Sequence, residues 1–172
     1  MISRWKIDFG AEEIELISQA VCSRNISQGP VTSRFESEVC KSLGVNYAVA
    51  TTSGSTAILM ALVAAGVGPG DEVIVPNRTW IATAHAPRLL GAVPVIVDVG
   101  YDYPLLDCSA VAQSISNKTK AVIPVHLNGH STNMVELAKI CDNSNIKIIE
   151  DAAQAFGSHN SAGNLGTLSF AG

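Results

Sequence analysis

Apolar residues recur along this chain with two alternating periods. Over residues 10–24, Ile14, Ile17 and Val21 stand at helical spacing, with Glu12, Glu13 and Glu15 early, where the helix dipole favours acids. A loop at Asn25–Pro30 follows, punctuated by Gly29-Pro30. Phe35, Val39 and Leu43 predict a second helix from Thr32 to about Leu43, capped by Thr32 or Ser33 and ended by Gly44. From there short branched apolar runs alternate with helical spacing. Strands are predicted at Tyr47–Thr51, Glu72–Pro76, Val93–Asp98, Lys120–His126, Ile146–Glu150 and Thr167–Phe170. Helices are predicted between them at Ser55–Ala65, Thr79–Leu90, Asp107–Ile115 and Asn133–Cys141, the second interrupted or tilted at Pro87. Such alternation predicts a mostly parallel sheet with helices on both faces, a three-layer α/β fold. The near-continuous apolar strands agree, because strands in such sheets are buried on both sides. The sequence has no internal repeat, linker or low-complexity stretch.

Composition narrows the function classes. With 172 residues, 47% of them hydrophobic, the chain can bury a sizeable core as one domain or part of one. A net charge of −4 with no basic cluster argues against nucleic acid and against a polybasic membrane patch. No apolar run reaches membrane-spanning length, and Met1–Lys6 has no apolar signal core behind it, so a cytoplasmic protein is expected. Cys22, Cys40, Cys108 and Cys141 lack metal-type spacing; they read as small, partly buried residues in a reducing compartment, and no metal site is expected. The chain stops within an apolar, strand-like stretch, Leu168–Gly172, so a partial chain is expected.

The candidate chemistry gathers where the predicted strands end. Ligands of open α/β sheets sit beyond the carboxyl ends of their strands. Ile146–Glu150 runs into Asp151 there, where a carboxylate meets a cationic ligand atom or caps the next turn. Glu150 is expected to point the opposite way, because strand side chains alternate. Thr51-Thr52-Ser53-Gly54-Ser55-Thr56-Ala57 passes from a strand to a helix start rich in hydroxyls, with Gly54 leaving the backbone open. It suits an anion, although an ordinary capping box reads the same. It is neither a P-loop nor a G-x-G-x-x-G fingerprint. Trp80 stands at the sheet mouth, to stack on a flat ring or to pack at the rim. His126 ends another strand, as a ligand neighbour or a satisfied structural histidine; His85 and His159 receive no role. A planar phosphorylated heterocycle with a protonatable ring nitrogen would use all of these groups together. Pyridoxal phosphate (PLP) fits that description, because an acid beside its ring nitrogen favours the charged pyridinium.

The order of motifs resembles the DegT/DnrJ/StrS group of sugar aminotransferases, fold type I pyridoxal-phosphate enzymes. The matching stretches are Gly29-Pro30, Phe35-Glu36, Ala50–Ala57, Gly68-Pro69-Gly70-Asp71-Glu72-Val73-Ile74-Val75-Pro76, Thr79-Trp80, Gly91–Val95, Val125–Gly129 and Glu150-Asp151-Ala152-Ala153-Gln154-Ala155-Phe156-Gly157. The resemblance implies N-terminal helices and an active-site loop over 1–45, and an aspartate aminotransferase-like large domain over 46–172, incomplete before the Schiff-base lysine. It implies that Gly54 and Ser55 hold the cofactor phosphate, Trp80 stacks on the ring, Asp151 pairs with the ring nitrogen, Gln154 lies near the ring hydroxyl, and Ser169 reaches the phosphate. It further implies a homodimer, with Ser27–Pro30 a candidate to cross into the partner's site. The implied reaction moves an amino group, usually from glutamate, to a nucleotide-linked keto-deoxysugar for surface glycans or antibiotic sugars.

Three positions depart from the family pattern: Ser55 in place of the commoner Thr, Asn128 where an aromatic is frequent, and Thr167 where an acid is frequent. The family lysine is expected five residues after Ser169, two past Gly172; the chain as written is therefore expected to be inactive and, with an unpaired strand edge, prone to associate. Two alternatives stand beside the aminotransferase: a dehydratase with histidine in place of the lysine, and a non-catalytic binding or regulatory protein on the same scaffold. A plain Rossmann-like domain is disfavoured, because the first strand-to-helix turn lacks the glycine fingerprint.

Overall fold

The computed structural model describes residues 8–24 and 26–172, so Asn25 of the predicted loop and the Met1–Lys6 stretch lie outside the described residues. The chain divides into two compact units, residues 1–50 and 51–172. The first unit carries two helices, α1 (Ala11–Cys22) and α2 (Pro30–Leu43). Glu13 starts α1 by accepting the Gly10 N–H at 2.6 Å. The second helix begins two residues before its predicted start: Gly29 is the cap, rather than Thr32 or Ser33, and Pro30 takes the first helical position, where its missing N–H costs nothing. It ends at Gly44 in a left-handed conformation (φ 71°), which a side chain would strain.

The predicted strand at Tyr47–Thr51 does not form. The stretch is extended but joins no ladder among the described residues; Tyr47 and Val49 are exposed, and the Ala50 N–H is taken by the Glu36 carboxylate at 2.9 Å. Alternating branched residues favour a pleated surface, but the strand itself is made by the partner it pairs with.

The second unit is the predicted parallel sheet. Its strands are β1 (Glu72–Pro76), β2 (Val93–Val97), β3 (Thr119–Val122) and β4 (Lys147–Ile148), in the order β2-β1-β3-β4 and all parallel. The helices are α3 (Gly54–Ala64), α4 (Ala82–Leu89), α5 (Cys108–Ser114) and α6 (Met134–Asp142). Ser53, Asp107 and Asn133 each cap a helix by accepting a first-turn N–H. Strands β3 and β4 are shorter than predicted. Their pairing continues only as isolated parallel bridges, Val125 with Asp151 and Ile149 with Ala171, beside Pro124, which has no N–H for a ladder. Thr167–Phe170 forms no strand; the segment meets the sheet through the Phe170 N–H on the Ile148 carbonyl at 3.2 Å and the bridge at Ala171. A small hairpin, β5 (His159–Asn160) with β6 (Gly163–Asn164), was not predicted.

Strand parity sorts the core into two layers. Val73, Val75, Ala121, Ile123 and Ile149 pack under α3 and α4 with Ile58, Leu62 and Ala86. The intervening Ile74, Val122 and Ile148 pack on the other side with Val111, Leu137 and Cys141 of α5 and α6. Leu62 and Leu137 are fully enclosed, one in each layer, each contributing roughly 2 kcal/mol of apolar burial.

Candidate functional site

The strand order creates a crevice. β1 and β3 are neighbours, but the chain leaves β1 through α4 towards β2 and leaves β3 through α6 towards β4. Connections that part in opposite directions open a gap at the carboxyl ends of the two strands, where α/β folds bind ligands.

Parity then decides which acid faces which layer. Asp151 shares the side of Ile149, the α3/α4 layer. Its Oδ2 accepts the Thr83 hydroxyl of α4 at 3.0 Å and its Oδ1 accepts the Ala153 N–H at 3.3 Å. Thr83 is fully buried, and its hydroxyl also meets that of Thr79 at 3.0 Å. Trp80 sits in the same turn, 76% exposed, so its ring is open to a ligand, and its carbonyl accepts the Thr83 N–H at 3.1 Å. The rim-packing reading of Trp80 is thereby disfavoured. Gly54 and Ser55 lead α3 on the exposed surface, and a Cβ at Gly54 would meet nothing within 4 Å. Their N–H groups stand in the first turn, ahead of any intrahelical partner. Ser53 and Thr52 close the cradle with hydroxyl contacts to Thr56 at 3.1 and 3.2 Å.

Gln154 is exposed, and its Oε1 accepts the Asn128 N–H at 2.9 Å. Asn128 has a left-handed backbone (φ 57°), which asparagine tolerates far better than an aromatic side chain. At Gly129 (φ 81°) a Cβ would come within 3.2 Å of the Ser158 hydroxyl.

Glu150 shares the side of Ile148, as strand alternation predicts, and is 3% exposed. All its acceptor capacity is used. Oε1 accepts the Leu168 N–H at 2.7 Å and the Ser169 hydroxyl at 2.8 Å; Oε2 accepts the Gly166 N–H at 3.0 Å and meets His126 Nε2 at 2.9 Å. Burial pushes this carboxyl up, but the bonds from His126, Ser169 and the two N–H groups outweigh it and hold it below the usual 4.5. His126 is fully buried and accepts the Thr132 N–H on Nδ1 at 3.4 Å, so its structural reading holds and it does not face Asp151.

The fold therefore gathers Asp151, Trp80 and the hydroxyls of Thr79 and Thr83, and joins Gln154 to the loop after β3. It places Ser169 on Glu150. Sequence reasoning missed Thr83, whose only signal was a threonine on a helix face otherwise buried through Ala82, Ala86 and Pro87. It also missed the partners of Glu150, whose direction alone was legible. Among the described residues no group of acids, histidines and cysteines is arranged to hold a metal, and no helix is long and apolar enough to cross a membrane. The donor set fits a planar phosphorylated heterocycle: anion donors at a helix start, an open aromatic face, and a half-buried carboxylate.

Comparison with known proteins agrees. The profile of the DegT/DnrJ/EryC1/StrS aminotransferase family matches residues 8–172. DesV of S. venezuelae is 38% identical, over 90% of this chain and 43% of that one, with a TM-score of 0.82. An aminotransferase from Psychrobacter cryohalolentis is 32% identical, over 97% and 42%, with a TM-score of 0.91. A GDP-4-keto-6-deoxymannose-3-dehydratase, solved with a trapped PLP-glutamate geminal diamine, is 27% identical, over 95% and 44%, with a TM-score of 0.87. This chain thus spans less than half the length of each. Other similar structures hold PLP or PMP. The fold is that of the fold type I large domain, the cofactor of these relatives is pyridoxal phosphate, and the chain belongs to the DegT/DnrJ/EryC1/StrS aminotransferase family.

Proposed function

We propose that the protein to which this chain belongs transfers an amino group from an amino acid, with glutamate as donor, to a keto group of a nucleotide-linked deoxysugar. The observation that carries this reading is Asp151, half-buried at the sheet mouth with one oxygen on Thr83, in a chain of this family. Bound pyridoxal phosphate supplies an electron sink for amino-group transfer. The N–H groups of Gly54 and Ser55, with the α3 dipole, would bind its phosphate. Trp80 would cover a ring face. The Asp151 carboxylate would keep the ring nitrogen protonated by opposite charge, and Gln154 would lie near the ring hydroxyl. Ser169, which the family resemblance assigns to the phosphate, here donates to Glu150 instead. The products enter surface polysaccharides, including lipopolysaccharide, or antibiotic sugars, and the protein acts in the cytoplasm as a homodimer with Ser27–Pro30 reaching the partner's site.

Titration of the chain with PLP, followed by quenching of tryptophan fluorescence, tests the site. Saturable binding that Asp151→Asn weakens by roughly tenfold or more is expected, because the substitution removes the charge facing the ring nitrogen. Equal binding by the Asn variant would sink the assignment. The dehydratase similarity favours one second reading, dehydration of the same class of sugar with the same cofactor. Product analysis with glutamate and a nucleotide-linked ketosugar separates the two: an aminosugar supports transamination, and a deoxygenated sugar supports dehydration.

A further inference from the structure

We propose that Thr83 is a positioning residue that sets the Asp151 carboxylate, and the turn bearing Trp80, in register for one planar ring; this rests on the cofactor reading above. Thr83 is fully buried, yet its N–H and its hydroxyl both reach groups of the site. Its N–H donates to the Trp80 carbonyl at 3.1 Å, and its hydroxyl donates to Asp151 Oδ2 at 3.0 Å. A hydroxyl carries one proton. With that proton on Asp151, the 3.0 Å contact to Thr79 requires Thr79 to be the donor, giving a directed chain from Thr79 through Thr83 to Asp151. Each link polarises the next, and the chain ends on a charged acceptor, where hydrogen bonds are strongest.

The consequences are geometric. Asp151 Oδ2 is held by a residue 68 positions away in sequence, on the helix that follows Trp80. The aromatic that would cover a ring and the acid that would meet its nitrogen therefore share one anchor. Movement of α4 relative to the strand end would displace both together. The Thr83 hydroxyl meets Thr79 and Asp151, and its role at the site passes through Asp151.

The test uses Thr83→Val, which keeps the shape and removes the hydroxyl, and Thr83→Ser, which keeps the hydroxyl. PLP affinity is read by tryptophan quenching, and inorganic phosphate affinity by competition with PLP. Thr83→Val is expected to weaken PLP by roughly tenfold while leaving phosphate unchanged, and Thr83→Ser to stay within about twofold of the parent. In an Asp151→Asn background Thr83→Val is expected to add nothing, because its effect passes through the lost carboxylate. Parent-like PLP affinity in Thr83→Val, equal loss of PLP and phosphate, or full additivity with Asp151→Asn would each overturn the proposal. Absence of PLP binding by the parent chain would overturn the cofactor reading and this inference with it.

Discussion

Glu150 and Asp151 are adjacent carboxylates on one strand end, and the sheet gives them opposite work. Asp151 faces the α3/α4 layer, takes two hydrogen bonds and stays half-buried at the crevice. Glu150 faces the α5/α6 layer, is 3% exposed and takes four, from His126, Ser169 and the Gly166 and Leu168 N–H groups. The first carboxylate has acceptor capacity left for a ligand. The second has none and instead binds the 166–169 turn to the sheet. Residue type does not separate an open carboxylate from a structural clamp; the number of internal donors around each one does.

The largest effect expected from breaking this contrast is on stability. Glu150→Gln sets an amide NH2 against a ring of donors and is expected to cost about 3 kcal/mol. Asp151→Asn keeps an oxygen for Thr83 and is expected to cost about 1 kcal/mol or less. Urea midpoints of the two variants decide the matter, and equal losses would collapse the distinction.

Acid sharpens it next. Glu150 titrates below 4.5 in the folded chain and near 4.5 when unfolded. Its contribution is complete above the unfolded value and is lost as pH falls through the folded one. Stability of the parent chain should therefore drop more steeply below about pH 4.5 than that of Glu150→Gln. Parallel acid limbs would show that the carboxylate carries no such linkage.

The smallest effect is on thiol reactivity. Burial, helped by Glu136 and Asp107, pushes the Cys108 thiol up to about 11; burial, helped by Asp142 and Cys108, does the same for Cys141. Cys22 is exposed. Iodoacetamide at mildly alkaline pH should modify Cys22 first and reach Cys108 and Cys141 only as the α5/α6 layer opens. Glu150→Gln should speed that second phase and Asp151→Asn should leave it alone. The same rate in both variants would mean that Glu150 does not hold this layer.

Much of the architecture was legible in the pattern. The 72–76 strand appears with its predicted limits, and the other helices and sheet strands lie near or inside theirs. Most misses share a cause. Tyr47–Thr51 had strand composition but no ladder partner among the described residues, β3 and β4 lost ladder pairing around Pro124, and Thr167–Phe170 keeps only the Phe170 N–H bond to Ile148 beside the bridge at Ala171. Strand length depends on what lies alongside, which the local pattern does not encode. Among the candidate site residues, Asp151, Trp80, Gly54 and Ser55 stood out in the sequence because each follows a predicted strand or starts a helix, while Gln154 and Ser169 came from the family resemblance alone. Thr83 did not stand out, because a lone buried threonine looks like core.

The sequence by itself determined the layers, the order of elements and the opposite directions of Glu150 and Asp151, because period, caps and strand parity are local properties of the chain. Only the tertiary structure decided that His126 and the 166–169 turn close on one carboxylate and that the Thr83 hydroxyl reaches the other. Those meetings depend on the β2-β1-β3-β4 order and its crossovers, which bring distant strand ends and helix starts to one edge of the sheet.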